Sequence, residues 1–507
     1  MSTEVIAAPR HDVLEPVGGR SRHGRSVLLA TIAFLCCGLT WIVALAPFTG
    51  IDEFDHAFRA DSVAQGHWQP GSDPLPSRLG RGDLIPVHAD LASSAATACL
   101  NLPYPGTYNC SPYAAEPGGN VLIASAAARY DPVYYLIAGT LAKPFHGDAE
   151  LYAMRVASLA ICAALFAIAL WSLLLVSGTR WPIVALLAGI LPTTVYSVAL
   201  AAPNGTQMMA GLAVWAGGIA LVRRELRPRL LYPATAVAMA LLVTTHTLGC
   251  LWLGLIGVGL ALYAGLRRTL LALRPRSAGE CFWFALMLLS IVFEVVWVLL
   301  ARTNNPGDGT PPVDPHLWPD LPNHLVLWPL QAIAAYPMRN QPAPTGVYAL
   351  ALAIIVGLAA LALRHVYRHP SMRRTFVFLA AITVLVPVVA TVATYRTAGF
   401  AWQGRYGMPF SVGLFVIAAL ALDRRPDLHR RRLPLATVPV LWTLAQILGA
   451  RHIGDKQRGH DYFSSPNSWH APPLAVVDLL GVVALVVACW LSWRLVRDTP
   501  SPARTWS

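Results

Sequence analysis

The chain contains little charge for its length. Asp, Glu, Lys and Arg make up 13% of its 507 residues and hydrophobic residues 55%, whereas a soluble globular protein has roughly 25% charged residues. This scarcity excludes an ordinary soluble domain. In place of charge the sequence has a succession of apolar runs, each long enough to cross about 30 Å of hydrocarbon as a helix. The lipid bilayer is therefore the expected solvent.

Twelve apolar runs predict an all-α polytopic membrane protein with about twelve transmembrane helices. The predicted helices cover residues 26–48, 150–176, 181–201, 204–222, 231–248, 249–266, 280–301, 346–363, 375–394, 404–422, 433–450 and 474–494. Polar turns interrupt the closely spaced pairs 181–222 and 231–266. Either pair could therefore hold a re-entrant segment in place of two separate spans.

The sequence also lacks features of several other protein classes. Its short basic loops contain no glycine-rich phosphate loop, which argues against a cytosolic nucleotide site. It has no tandem repeat and no matching pair of Gly- or Pro-broken helices, which weakens a transporter interpretation. The first apolar run is longer than the roughly 7–15 residues of a signal-peptide core, and Pro47 stands where cleavage would occur.

The basic residues are concentrated in segments that the topology places on one side of the membrane. With a cytoplasmic N-terminus, most of the 38 Lys and Arg residues fall in short cytoplasmic loops and tails, as the positive-inside rule requires. This spread of the +12 net charge argues against a nucleic-acid partner. The predicted parts are a cytoplasmic tail at 1–25, a core at 26–422 that includes outer loops 49–149 and 302–345, a hairpin at 423–494 and a cytoplasmic tail at 495–507.

The outer loop 49–149 has three predicted local features. A short amphipathic helix running from Asp52 to Gly66 is expected to lie along the membrane interface. The segment from Tyr130 to Phe145 is apolar but too short to span, so it too is expected at the membrane surface. Two of the eight cysteines, Cys99 and Cys110, share this loop, and an oxidising compartment would favour a disulfide between them over free thiols.

Five ionisable residues fall inside predicted spans, where they are costly. They are Arg155, His246, Glu294, Arg405 and Asp478. All lie in the outer halves of their helices, so we expect a cavity open to the outside and roofed by the first loop. The alternative for each is snorkelling or an ion pair between helices, which is favoured for Asp478 and equally weighted for His246 and Glu294.

Several stretches together resemble a bacterial membrane-protein family, the domain-of-unknown-function 2142 family, which is grouped with the GT-C glycosyltransferases. The likeness covers roughly residues 40–410. The matching stretches are Asp52-Glu53-Phe54-Asp55-His56 with Arg59 and Gly66, Tyr130 to Tyr135, Leu151 to Arg155, and Gln403-Gly404-Arg405-Tyr406 with Pro409. Two departures, Asn204 in place of a carboxylate and Thr244-Thr245-His246 in place of a lysine, bear on the identity of the sugar or acceptor.

The resemblance implies an inverting transferase that uses a polyprenyl-phosphate-linked sugar and a glycan or lipid acceptor of the cell envelope. Membership of the GT-C group implies a catalytic carboxylate at the start of the first outer loop, so Asp52 is the preferred general base, followed by Glu53 and Asp55. Simple N-capping is the alternative role for Asp52. Arg405, Arg155 and, less strongly, Arg59 are expected to bind the donor phosphate. Further candidates are His56, Tyr130, Tyr134, Asn204, His246, Glu294, Gln403 and Tyr406.

A divalent cation, Mg²⁺ or Mn²⁺, would be held by Asp52, Glu53 or Asp55, because some GT-C enzymes require one. The expected location is the bacterial plasma membrane, with both termini cytoplasmic and the site facing outward. Two other functions stay open: a transporter or flippase of lipid-linked saccharides, which needs the charged cavity but no base, and an inactive scaffold subunit of an envelope-synthesis complex.

Overall fold

The described part of the chain is mainly helical. A computed structural model describes residues 20–69, 74–77, 80–100, 114–116, 119–303, 316–337, 341–425, 428, 432–458 and 469–497. Its α-helices are α1 (Arg20–Ala44), α2 (Glu53–Ala64), α3 (Ala89–Leu100), α4 (Pro132–Ala142), α5 (Asp148–Leu175), α6 (Trp181–Gly189), α7 (Pro192–Val198), α8 (Pro203–Arg223), α9 (Leu231–Val243), α10 (Gly249–Ala264), α11 (Leu266–Leu273), α12 (Ala278–Ala301), α13 (Leu317–Ala334), α14 (Thr345–Arg368), α15 (Pro370–Ala398), α16 (Met408–Ser411), α17 (Gly413–Asp423), α18 (Leu433–Arg458) and α19 (Leu474–Arg497).

The first outer loop also contains a small antiparallel sheet, which the sequence analysis did not predict. Its strands are β1 (Pro74–Ser77), β2 (Gly80–His88), β3 (Ala114–Glu116) and β4 (Asn120–Ser125), in the order β1-β2-β4-β3. Ile85 and Val87 of β2 are buried whereas Leu84 and Pro86 are partly exposed, the alternation expected of a strand. The surrounding prolines obscured this alternation in the sequence.

Nine helices of the described residues are long and apolar enough to cross a membrane, and a tenth span exists if α6 and α7 form one. The predicted count of twelve is therefore not confirmed. Helices α6 and α7 are bent by 76°, because Pro192 begins α7 and disfavours helical geometry in the residue before it. Helices α9 and α10, with 13 and 16 residues, would be only about 20 and 24 Å long.

The basic segments lie together at one end of the helical bundle. At this end Arg180, before α6, donates a hydrogen bond to Ser26 of α1, and Arg425, after α17, donates to the Leu361 carbonyl of α14 at 2.8 Å. Thr179 donates through its backbone N–H to Asp423 at 2.9 Å. The ends of five helices that the charge pattern assigns to one side therefore meet in space.

Helix α2 forms where the sequence predicts a helix, but its surroundings differ from the prediction. It ends at Ala64, and Gly66 follows at φ 96°. Every residue from Glu53 to Val63 is buried, because α4, β2 and β4 pack against it. The predicted helix is therefore confirmed, but it has no exposed face toward a membrane interface, and the charged side chains of α2 are enclosed by protein.

The C-terminal hairpin of α18 and α19 packs directly against α1. Gln457 of α18 accepts a hydrogen bond from the Ala46 backbone N–H at 2.6 Å and donates to Thr49 Oγ1 at 2.9 Å. These bonds attach the hairpin to the segment that leads from α1 to Asp52. Between the two helices, Arg451 contacts Asp478 at 3.0 Å, the helix–helix ion pair favoured for Asp478.

Candidate active site

Asp52 and Arg405 form an ion pair at the end of the bundle opposite the basic segments. Arg405 Nη2 donates to Asp52 Oδ2 at 3.1 Å, although the residues are 353 positions apart. Asp52 is 18% exposed and Arg405 7%. Arg405 Nε is buried and has no hydrogen-bond partner among the described residues. The pair thus combines a reachable carboxylate with a guanidinium that has a further donor available.

The backbone around Asp52 is held in an unusual conformation. Asp52 occupies the N-cap position of α2 at φ 59° and ψ 9°, but its side chain makes no capping hydrogen bond. The alternative N-capping role is therefore not observed. A left-handed conformation costs a non-glycine residue roughly 1–2 kcal/mol. The preceding Ile51 is held by Tyr196, whose hydroxyl accepts from the Ile51 backbone N–H at 3.1 Å and donates to the Pro337 carbonyl at 2.8 Å.

Glu53 points in another direction and pairs with Arg155. Arg155 Nε and Nη2 donate to the two Glu53 carboxylate oxygens at 2.8 and 2.6 Å, and both side chains are fully buried. Arg155 also donates to the carbonyls of Leu45 and Ala46 at the end of α1. Since these bonds occupy its guanidinium, Arg155 joins α1, α2 and α5 and does not face the Asp52 opening, in contrast to its predicted contact with the donor.

A series of aromatic and imidazole rings extends away from the ion pair. The ring centroids of Tyr406 and His246 are 5.7 Å apart, and those of His246 and Tyr130 are 6.2 Å apart. The ring centroids of Tyr130 and His56 are 5.8 Å apart, and His56 Nδ1 is 2.8 Å from the Tyr135 hydroxyl oxygen. The structure therefore brings four predicted site residues together, and adds Tyr135. Burial is the main cause that raises the pKa of Tyr130 above its ordinary value, and the neighbouring Tyr406 and Asp52 raise it further.

A small cavity lies beside Arg405. It is lined by Ile51, Thr193, Tyr196, Gln331, Ala335, Gln403, Gly404 and Arg405. Gln331 accepts a hydrogen bond from the Gly404 backbone N–H at 2.9 Å, while Gln403 Oε1 is buried without a hydrogen-bond partner among the described residues. A side chain at Gly404 would collide with the Trp328 carbonyl. Close packing against α13 therefore requires glycine between Gln403 and Arg405.

Arg59, Asp131 and Glu294 form a separate buried group below α2. Arg59 is fully buried and donates to the carbonyls of His67, Trp68 and Tyr130 at 3.3, 2.7 and 3.1 Å. The carboxyl groups of Asp131 and Glu294 interact with each other. Arg59 thus fastens the segment after α2, and its binding of a donor phosphate stays a prediction.

Three other predicted residues lie outside the Asp52 opening. The Tyr134 hydroxyl hydrogen-bonds Ser158 of α5 at 2.5 Å. Asn204 is buried in the first turn of α8, and the nearby Ala201 N–H donates to Glu53 at 3.1 Å. Asp55 Oδ1 accepts from the Ala126 backbone N–H at 2.9 Å. Cys110 lies outside the described residues, so the predicted Cys99–Cys110 disulfide stays a prediction.

The residues predicted to hold Mg²⁺ or Mn²⁺ have separate partners. Asp52 contacts Arg405, Glu53 contacts Arg155, and Asp55 contacts the backbone of the β4 end. A divalent ion needs several oxygen ligands converging on one point. In the conformation described, these three carboxylates do not fit that requirement.

Three functional candidates were missed by the sequence analysis: Tyr196, Gln331 and Tyr135. Tyr196 follows Pro192 in a run that was assigned to one continuous span, so nothing set it apart from an apolar helix. Gln331 lies on α13, in the outer loop 302–345. The break at Leu191-Pro192 was the available signal, because a helix that breaks in a membrane must have other partners for its backbone.

These features define a polytopic helical membrane protein with an ion-paired cavity at one end of the bundle. The chain belongs to the DUF2142 family of predicted membrane proteins, whose model matches residues 35–315. The predicted family is thus confirmed. A search of curated proteins finds no match to this sequence.

Among solved structures, the chain is similar to ArnT from Cupriavidus metallidurans. The form bound to undecaprenyl phosphate is 14% identical with a TM-score of 0.40, over 93% of this chain and 78% of that chain. The apo form is 14% identical with a TM-score of 0.44, over 94% and 78%. The apo Archaeoglobus fulgidus oligosaccharyltransferase is 12% identical with a TM-score of 0.31, over 96% and 57%. Identities and TM-scores are low, so these similarities do not define an activity.

Proposed function

We propose that this chain is a membrane glycosyltransferase of the GT-C type. It moves a sugar from a polyprenyl-phosphate donor to a glycan or lipid acceptor of the cell envelope, on the extracytoplasmic side of the bacterial plasma membrane. The proposal rests on the Asp52–Arg405 ion pair and on the resemblance of the surrounding motifs to this group. Both termini are cytoplasmic in this proposal, because the basic end of the bundle then faces the cytoplasm.

In the proposed reaction Asp52 acts as general base. The acceptor hydroxyl oxygen attacks the anomeric carbon of the sugar with inversion, while the bond between that carbon and the phosphate oxygen breaks. The hydroxyl proton passes to Asp52. The leaving polyprenyl phosphate keeps the electron pair, and Arg405 stabilises its negative charge through charge-assisted hydrogen bonds.

The ion pair explains why the role of Asp52 as base depends on the binding of phosphate by Arg405. In the free protein Arg405 holds Asp52 at 3.1 Å. A donor phosphate competes for the same guanidinium, and its arrival releases the Asp52 carboxylate toward the acceptor. The unpartnered Arg405 Nε and Gln403 Oε1 beside the cavity support polar contacts to phosphate and sugar, since buried polar groups normally have partners.

The depth of the cavity suits a lipid-borne donor. His246 lies in the turn between α9 and α10, two helices about 20 and 24 Å long that rise from the basic end. Because the hydrocarbon core is about 30 Å thick, their tip falls within the outer half of the bilayer. The polyprenyl chain of a donor occupies this region, and its phosphate lies about 10 Å further out, at the outer surface of the hydrocarbon.

The test uses the full chain, purified and reconstituted in lipid nanodiscs, with a panel of radiolabelled polyprenyl-phosphate sugars. Wild type is expected to transfer at least one sugar to envelope acceptors. Asp52→Asn should bind the same donor with similar affinity but transfer at least roughly a hundredfold more slowly, the range of general base catalysis. Asp320→Asn, an exposed carboxylate on α13, is the matched control and should keep full activity.

Undiminished transfer by Asp52→Asn would remove this residue from the mechanism. Donor binding without transfer by the wild type across the whole panel would contradict the enzyme proposal. A flippase then becomes the better account if wild-type proteoliposomes move the donor between leaflets, and an inactive scaffold if they do not.

A further inference from the structure

A second cluster of ligand-type side chains lies at the other end of α2, away from the Asp52–Arg405 pair. Asp61, His88 and Glu150 each place one ligand atom within 4.8 Å of the other two. Asp61 comes from the last turn of α2, His88 is the final residue of β2, and Glu150 lies in the first turn of α5. Asp52 and Asp61 are separated by about 13 Å along the helix axis.

Both carboxyl groups of the cluster are buried. Asp61 is 2% and Glu150 3% exposed, whereas the His88 side chain is 38% exposed. In the part of the chain that the structure describes, no Lys or Arg forms an ion pair with either acid. The charged neighbours of the Glu150 carboxyl group include two further acids, Asp61 and Asp90. Two buried acids whose ligand atoms lie within 4.8 Å of each other need a compensating positive charge or a shared proton, and a protonated His88, which pairs with Asp61 at 2.7 Å, supplies at most one charge.

The surrounding hydrogen bonds orient Asp61 toward the cluster. Asp61 Oδ2 accepts from the His88 backbone N–H at 2.7 Å and from Gln65 Nε2 at 2.9 Å. Asp61 Oδ1 lies 2.7 Å from His88 Nδ1. Asn120, paired with His88 across the sheet, in turn donates to Gln65 Oε1 at 2.6 Å. Such outer contacts fix the direction of metal ligands in known sites.

We propose that Asp61, His88 and Glu150 bind one divalent transition-metal ion, and that this ion is Zn²⁺. One imidazole with two carboxylates is a donor set that suits zinc, with water in the fourth position. Calcium and magnesium prefer oxygen ligands alone. The partly exposed His88 gives the ion a route from the outer solution.

The ion would connect three elements that no described disulfide connects. It attaches the sheet of the outer loop, through β2, to the helix that begins next to Asp52 and to the helix that carries Arg155. The role is structural, because the cluster lies about 13 Å from Asp52 and contains none of the residues assigned to the reaction. The proposal therefore stands independently of the glycosyltransferase proposal.

The test measures metal content and needs no activity assay. The full chain in nanodiscs is incubated with ZnCl₂, freed of unbound metal, and analysed by inductively coupled plasma mass spectrometry. Wild type is expected to retain about one zinc ion per chain, and EDTA should lower its melting temperature, because a metal that binds only the folded state stabilises it. His88→Ala and Glu150→Gln should both lose the ion, and Glu150→Gln should no longer respond to EDTA.

His67→Ala, at an exposed position of the same loop, is the matched control and should retain zinc. Glu150→Gln also covers the case in which His88→Ala fails to fold, because an amide can replace a protonated carboxyl as a hydrogen-bond donor to Asp61. Wild type without bound zinc, or zinc retained by folded Glu150→Gln, would contradict the proposal. A shared proton would then be what holds the two acids together.

Discussion

The Glu53 carboxylate receives two hydrogen bonds from Arg155, a residue 102 positions away, at 2.8 and 2.6 Å. Its neighbour Asp52 turns to Arg405. Adjacent acids in the sequence thus have different roles: Glu53 fixes the start of α2 to α1 and α5, while Asp52 stays partly exposed at the cavity. The buried pair is what gives Asp52 a defined position.

Removing the Glu53 charge is expected to destabilise the fold. Glu53→Gln leaves Arg155 charged and without its counterion in a buried position, which typically costs roughly 3–5 kcal/mol. Thermal unfolding in detergent should show a clear drop in melting temperature. Asp455→Asn removes the half-exposed Arg451–Asp455 pair and should cost at most about 1 kcal/mol. Equal effects of both variants would contradict the structural role of Glu53.

Arg405 should govern donor affinity. Arg405→Gln removes the cation of the cavity and is expected to weaken binding of a polyprenyl phosphate at least roughly tenfold, as loss of a charge-assisted hydrogen bond does. Arg405→Lys keeps the charge but not the planar fork, and should retain part of the affinity. Microscale thermophoresis in nanodiscs measures both. Unchanged affinity in Arg405→Gln would place the phosphate elsewhere.

Tyr196 should act as a positioning residue. Tyr196→Phe deletes the acceptor of the Ile51 N–H and the donor to Pro337, so the backbone next to Asp52 loses its support. Misplacement of a reactive group by about 1 Å can cost roughly a hundredfold in rate. We expect kcat to fall with little change in donor KM. A change in KM alone would argue for a direct contact with the donor.

Gly404 should be intolerant of any side chain. A Cβ there meets the Trp328 carbonyl and the Ala332 backbone, which are rigid parts of α13. Gly404→Ala is therefore expected to move Gln403 and Arg405 together and to weaken donor binding. Gly357→Ala, where the added Cβ meets nothing, is the control. Normal donor binding by Gly404→Ala would show that α13 yields to the methyl group.

The raised pKa of Asp131 is expected to make the stability of the fold depend on pH. Burial raises its pKa above the ordinary 3.8, despite the opposing effects of the Val133 N–H and Arg59. The folded state thus holds this proton more tightly than the unfolded state. Its stabilising contribution is complete below pH 3.8 and is lost as pH rises through the folded pKa. Asp131→Asn should reduce the fall in melting temperature across this window; an unchanged profile would contradict the raised pKa.

The sequence was sufficient for most of the long helices but not for their contacts. Apolar length located the helical segments, and the basic residues indicated which helix ends lie together. Sequence spacing could not show that Asp52 meets Arg405 or that Glu53 meets Arg155, because such pairs depend on how the helices pack. For the same reason Arg155 and Arg59 were assigned to the donor, whereas the structure shows them bonded to the backbone and, for Arg155, to Glu53.

The shorter elements were the least predictable. The strands β2 and β4 are formed by a few alternating residues among prolines, and their pairing joins segments on either side of α3. The sequence predicts two full spans at α9 and α10, because apolar residues continue around the turn that contains His246. Length alone does not show where an apolar run bends back.

A structure of the chain with a bound polyprenyl-phosphate sugar, determined in nanodiscs by electron cryomicroscopy, tests the central claim most directly. If Asp52 and Arg405 have the proposed roles, a phosphate oxygen lies at roughly 2.7–2.9 Å from the Arg405 guanidinium, the Asp52–Arg405 distance is longer than 3.1 Å, and the Asp52 carboxylate is directed toward the open face of the sugar. A phosphate bound away from Arg405, with the Asp52–Arg405 pair intact, would contradict it.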